Sequence, residues 1–156
     1  MTLMNDLHRP YLRCRSCQER FLLPFSTLEE KSIHQAGWPS DTWQRTFLCL
    51  RCGHVYVYTQ LHAQWEIFRN VDLNPLPKDV DVVLFEIGCA TEGCKSPVRF
   101  HAAGDILPIS TRTAATVAGA TFHDVSCDQG HPAQNRPGRA AGTLHIDPRA
   151  DADWWK

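Results

Sequence analysis

The stretch Cys49-Leu50-Arg51-Cys52-Gly53-His54-Val55-Tyr56-Val57-Tyr58-Thr59 carries two local signals back to back. It opens as Cys-x-x-Cys-Gly, where two intervening residues let a tight turn aim both sulfurs at one point. Gly53 suits the sharp exit from such a turn because it has no Cβ. The run then alternates and is rich in β-branched and aromatic residues, as a strand is. Alternation sets His54, Tyr56 and Tyr58 on one face and Val55 and Val57 on the other. A metal-binding turn feeding straight into a strand predicts a mostly β, metal-stabilised α+β fold with short helices.

Outward from there, the same turn recurs as Cys14-Arg15-Ser16-Cys17. Two such knuckles complete the tetrahedral shell of a structural zinc site, so Cys14, Cys17, Cys49 and Cys52 form a first candidate centre. Three cysteines remain. Cys89 and Cys94 make a longer Cys-x4-Cys turn relieved by Gly93, and Cys127 supplies a third ligand. His131, four positions on across Gln129-Gly130, offers the fourth, so seven cysteines and one histidine fill two tetrahedral sites. His123 is the rival, but it precedes Cys127 in the expected incoming strand, where residues four apart stand too far apart to chelate one ion easily. His54 could displace Cys52, at the cost of stranding a thiol. Three sulfurs and one nitrogen in the second set argue for zinc there. Two Zn2+ ions are the expected cofactors, with iron the alternative for the four-cysteine site.

Residues 71–80, with Pro75 and Pro77, read as a linker between two halves built on one plan. Residues 1–70 form the four-cysteine module, residues 81–131 the three-cysteine, one-histidine module, and residues 132–156 an extended tail. The plan repeats while residue identity does not: residues 18–48 separate the inner cysteines of the first module, and residues 95–126 those of the second. Expected strands are Phe21 to Phe25, Thr46 to Leu48, His54 to Thr59, Val82 to Ile87, Val98 to His101 and Ala120 to Val125. Ser26-Thr27-Leu28-Glu29 fits a capping box opening a helix over 27–36, and 111–118 is a second helix between Ser110 and Gly119. The tail, rich in Pro, Gly, Ala and Arg, ends in Trp154-Trp155, which would either dock on the body or clip a partner.

The paired knuckles resemble those of zinc ribbons, small β-rich modules in which two knuckles clamp a metal between hairpins. The resemblance covers 11–58 well and 86–131 more loosely. The spacing between knuckles is longer than usual, and the second site replaces two Cys-x-x-Cys pairs with Cys-x4-Cys and Cys-x3-His. Zinc ribbons occur in nucleic-acid-binding, protein-binding and enzyme-associated settings, so the resemblance implies tandem metal-clamped modules and leaves the function open.

The chain contains no Walker A loop, H-E-x-x-H, G-x-S-x-G, dinucleotide fingerprint or zinc-deaminase H-x-E, which points away from those enzyme classes. Its formal charge is −1, and seven ionised thiols with two divalent ions would lower it by three more. A generic nucleic-acid binder is more basic than this. Binding is the expected function, with another protein as the leading partner class and self-association through an open sheet edge allowed. The nucleic-acid alternative rests on Arg13, Arg15, Arg20 and Arg51 beside the first site, with Tyr56 and Tyr58 as stacking residues. A thiol-redox role for a Cys-x-x-Cys pair is a further alternative. With no secretory leader or long apolar run and an odd cysteine count, the chain reads as cytoplasmic.

Overall fold

The computed structural model describes residues 4–23, 43–72, 80–104, 109–133 and 145–147. Two sheets dominate. The strands are β1 (Met4–Arg13), β2 (Arg20–Leu22), β3 (Gln44–Leu48), β4 (His54–Thr59), β5 (Gln64–Asp72), β6 (Asp81–Gly88), β7 (Pro97–Gly104), β8 (Thr121–His123) and β9 (His145–Asp147). One α-helix, α1 (Thr111–Ala118), and a single 3-10 turn at Gln60–His62 complete the described elements. Strand order is β2-β1-β5 in the smaller sheet and β8-β4-β3-β7-β6-β9 in the larger.

The hairpins follow from local sequence. β3 and β4 pair antiparallel from Gln44↔Thr59 to Leu48↔Val55, with the Cys49–Gly53 turn as their loop. β6 and β7 pair from Asp81↔Gly104 to Gly88↔Pro97, leaving residues 89–96 as the tip that carries Cys89 and Cys94. β1 meets β2 at Tyr11↔Leu22 to Arg13↔Arg20, with the Cys14–Cys17 turn between them. α1 is capped by Ser110, whose side chain accepts the Thr113 amide at 3.1 Å, and it stops at Gly119.

The larger sheet joins strands from both expected modules. β3 runs parallel to β7 through Phe47↔His101, and β4 runs parallel to β8 from His54↔Thr121 to Tyr56↔His123. Its two faces bury different cores. On one face Leu48 and Val55 pack with Val83, Phe85, Val98, Phe100 and Ala102, beneath Val117 of α1 and beside Cys127. On the other, Phe47, Tyr58 and Val82 pack with Leu12 and Leu23 from the β1–β2 side and with Trp43. The described chain is therefore layered as small sheet, large sheet and helix.

Strands from residues 1–70 and from residues 81–131 thus pair in one sheet and share its two cores. Parallel pairing between segments far apart in the chain leaves no local sequence mark, and it satisfies the edge that each hairpin would otherwise leave open. The expected tail also contributes structure, since β9 pairs antiparallel with β6 from Leu84↔Asp147 to Glu86↔His145. The expected helix over 27–36, the centre of the expected linker and Trp154-Trp155 lie outside the described residues.

Candidate metal centres

Each knuckle is built by its backbone. In the first, the Gln18 amide donates to Cys14 O at 2.9 Å and the Cys14 amide to Glu19 O at 2.8 Å. In the second, Gly53 N donates to Cys49 O at 2.8 Å and Cys49 N to His54 O at 3.0 Å, so the two turns share one hydrogen-bond pattern. The residue after the second cysteine is left-handed in both, Gln18 with φ 66° and Gly53 with φ 78°. Sequence reading singles out Gly53 and passes over Gln18, whose side chain gives no hint of that backbone.

The two hairpin tips bring Cys14, Cys17, Cys49 and Cys52 together with every sulfur within 4.8 Å of the others. Cys14 Sγ lies 3.5 Å from Cys52 Sγ, and Cys17 Sγ 3.5 Å from Cys49 Sγ. Four sulfurs at the usual zinc–sulfur distance in a tetrahedron stand about 3.8 Å apart, so the spacing fits such an ion. Protonation tells the same story. Burial raises the Cys14 thiol, but the Cys17 and Ser16 amides pointing at its sulfur outweigh that and hold it below its ordinary value. Burial pushes Cys49 and Cys52 up. Four crowded thiols can all ionise only where a cation offsets their charge, which is the chemistry of a metal shell.

The second set closes in the same manner. Cys89, Cys94, Cys127 and His131 also place their ligand atoms within 4.8 Å of one another. His131 turns Nδ1 inward, 3.5 Å from Cys127 Sγ and 3.8 Å from Cys89 Sγ, and Cys94 Sγ is 3.9 Å from Cys127 Sγ. The turn is one residue shorter than the knuckles: Gly130 N donates to Cys127 O and Cys127 N to His131 O, both at 2.9 Å. Gly93 and Gly130 take φ of 78° and 87°, which is why a glycine stands at each bend. The Thr91 hydroxyl and amide beside Cys89 Sγ lower its thiol to about 6. The Ser96 amide lowers Cys94, but partial burial and the neighbouring Cys89 and Cys127 outweigh it and raise that thiol.

The rival histidines sit elsewhere. His54 Nδ1 is 2.6 Å from His123 Nε2, and the His123 ring stacks on Tyr56 with centroids 4.2 Å apart. Asp124, with φ 54°, ends β8 and turns the chain toward Cys127.

The arginines and tyrosines beside the first centre do not form one open face. Tyr58 is fully buried, and its hydroxyl accepts the Arg15 amide at 3.3 Å, which ties the first knuckle to β4. The Arg15 guanidinium donates to Val57 O at 3.2 Å and lies 4.9 Å from the centroid of the Tyr56 ring. Arg20 pairs with Glu66 and lies over Tyr11, Arg51 pairs with Glu19 at 2.6 Å, and Arg13 bonds Gln18 O at 3.3 Å. Sequence reading missed the anchoring hydroxyl of Tyr58 because a strand tyrosine gives no sign of what its tip reaches.

No protein-family model matches the chain, and no curated protein or solved structure is measurably similar to it. Among the described residues no helix is long and apolar enough to cross a membrane.

Proposed function

We propose that the protein is a non-catalytic zinc protein, a pair of fused zinc-ribbon-like units that serves as a rigid interaction module for another protein. The observation that carries this reading is closure: each centre is a complete set of four ligands gathered from two turns. A catalytic zinc keeps three protein ligands and an open position. Both ions would be Zn2+, bound by Cys14, Cys17, Cys49 and Cys52 in one centre and by Cys89, Cys94, Cys127 and His131 in the other. All seven thiols are free of disulfides, in keeping with metal ligation in a reducing compartment such as the cytoplasm.

Partner binding by a protein is favoured over nucleic acid because the basic and aromatic residues are already engaged. Tyr58 is buried, Tyr56 carries His123 and Arg15 against its ring, and Arg20 and Arg51 hold carboxylates. Large apolar side chains do reach solvent at Leu61, Ile67 and Phe68, a feature that interaction surfaces share. A thiol-redox reading has less support, since each Cys-x-x-Cys pair sits in a hairpin turn and its sulfurs also contact the opposite knuckle.

The test joins metal analysis to binding. Untagged protein should contain two zinc ions per chain, with thiols protected until denaturation. A labelled single-stranded oligonucleotide should show no anisotropy change at physiological salt. Crosslinking in cells should capture a partner that a Leu61→Glu, Phe68→Glu variant with full zinc content loses. Less than two zinc ions, or tight salt-dependent oligonucleotide binding, would overturn the reading.

A further inference from the structure

β8, which delivers Cys127 and His131 to the second centre, is seated on the turn that supplies half of the first. The Thr121 amide donates to Gly53 O at 2.9 Å, and Gly53 is the residue that closes the Cys49–Cys52 knuckle. Two residues on, His123 Nε2 meets His54 Nδ1 at 2.6 Å, and the His123 ring lies on Tyr56. α1 leans on the same spot, where a Cβ added to Gly53 would stand 3.8 Å from Thr116 Cγ2. Beneath these contacts, Leu48, Leu50 and Val55 of the first hairpin share a core with Val125 and three ligands of the second centre, Cys89, Cys94 and Cys127.

We infer that the two metal centres are energetically coupled, each raising the other's affinity for its ion, through a latch made by Thr121 and His123 of β8 on the Gly53–His54 turn. The inference rests on the reading of both clusters as metal centres. Metal in the first centre fixes the Cys49–Gly53 turn and with it the carbonyl and the imidazole that β8 docks on. The segment from Thr121 to His131 then loses less conformational freedom when it presents Cys127 and His131, so less of the binding free energy at the second centre is spent on ordering. The effect is reciprocal by thermodynamic necessity. His123 acts here as a positioning residue; it ligates neither ion.

Co2+ is the probe, because its thiolate charge-transfer and visible bands distinguish a four-sulfur shell from one of three sulfurs and a nitrogen. Titrations against a chelator give each centre's affinity. With the first centre disabled by Cys17→Ser, the second should bind Co2+ at least about fivefold more weakly, the lower end of ordinary coupling, and His131→Ala should weaken the first by the same factor. His123→Phe retains all eight ligands and a ring on Tyr56 but removes the N···N contact, so it should bring the coupling factor toward one. A merely structural role for His123 would weaken both centres and leave the factor unchanged, which overturns the latch. Equal affinities with and without the other centre overturn the coupling itself, while failure to bind Co2+ at either set overturns the metal reading beneath it. Should Cys17→Ser unfold the chain by circular dichroism, the decision passes to His123→Phe: joint filling of both centres in the parent and separate filling in the variant supports the latch, and identical titrations sink it.

Discussion

At the scale of single residues, the first centre depends on backbone conformations and one hydroxyl as much as on its four sulfurs. Gly53 and Gln18 both occupy the left-handed region after the second cysteine of a knuckle, yet only one is a glycine. Space is not the constraint at Gly53, where an added Cβ would meet nothing closer than Thr116 at 3.8 Å, so an alanine there suffers backbone strain alone. Gly53→Ala should cost about 1 kcal/mol, and Gln18→Gly should be neutral or gain up to about 1 kcal/mol, measured by urea unfolding in excess zinc. Unmoved midpoints in both variants would mean that positive φ is not what these positions supply. Tyr58 makes a different contribution. Its buried hydroxyl is the acceptor for the Arg15 amide inside the first knuckle, and phenylalanine fills the same space without accepting. Tyr58→Phe should cost about 0.5–1.5 kcal/mol, the net worth of one hydrogen bond whose donor sits on an exposed residue, and should speed alkylation of Cys17 in the zinc-loaded protein. Unchanged Cys17 protection would show that the hydroxyl does not hold the turn.

At the scale of elements, what the sequence disclosed and what it hid divide by the range of the interaction. The ligands, β4, the β6–β7 hairpin and α1 could be read because their signals are local: cysteine spacing, two-residue alternation, and a Ser110 cap with a Gly119 stop. β1 and β5 were illegible. β1 contains His8, Arg9 and Pro10, with Leu7, Arg9, Pro10 and Leu12 all buried in breach of alternation, while β5 carries Glu66 and Arg69 and exposes both Ile67 and Phe68. Such segments become strands only by pairing with each other, Leu7↔Phe68 through Tyr11↔Gln64. Parallel contacts β3 to β7 and β4 to β8 were equally hidden, and they join strands of both halves in one sheet. A fragment of residues 1–70 with zinc would leave Leu48 and Val55 uncovered and two sheet edges open, so it should aggregate or unfold without a cooperative transition. A soluble fragment with a sharp melt and one bound zinc would mean that the first half folds without the second.

At the scale of the whole molecule, burying one ionisable group at the centre of a shared sheet ties the stability of both units to pH. His101 lies on β7 where it meets β3, paired with Phe47 and with Leu84 on β6, and only 4% of its surface is exposed. Burial, with a contribution from the nearby positive charge of Arg45, lowers its pKa from 6.5 to about 3. The neutral imidazole is thus the form the fold accepts, while the unfolded chain takes up a proton below about 6.5. Stability should therefore be insensitive to this group above pH 6.5 and fall as the pH drops below that value, by about 2 kcal/mol at pH 5. Acid also releases metal from thiolate shells, so the contribution of His101 must be taken as a difference between two chains that share all eight ligands. His101→Gln removes the titrating group from the core and keeps the sheet polar at that point. Between pH 7 and pH 5 its urea-unfolding free energy should fall by about 2 kcal/mol less than that of the parent. The His101→Gln protein should be the less acid-sensitive of the two whichever metal occupancy prevails, and parallel pH profiles would mean that His101 becomes protonated within the folded sheet.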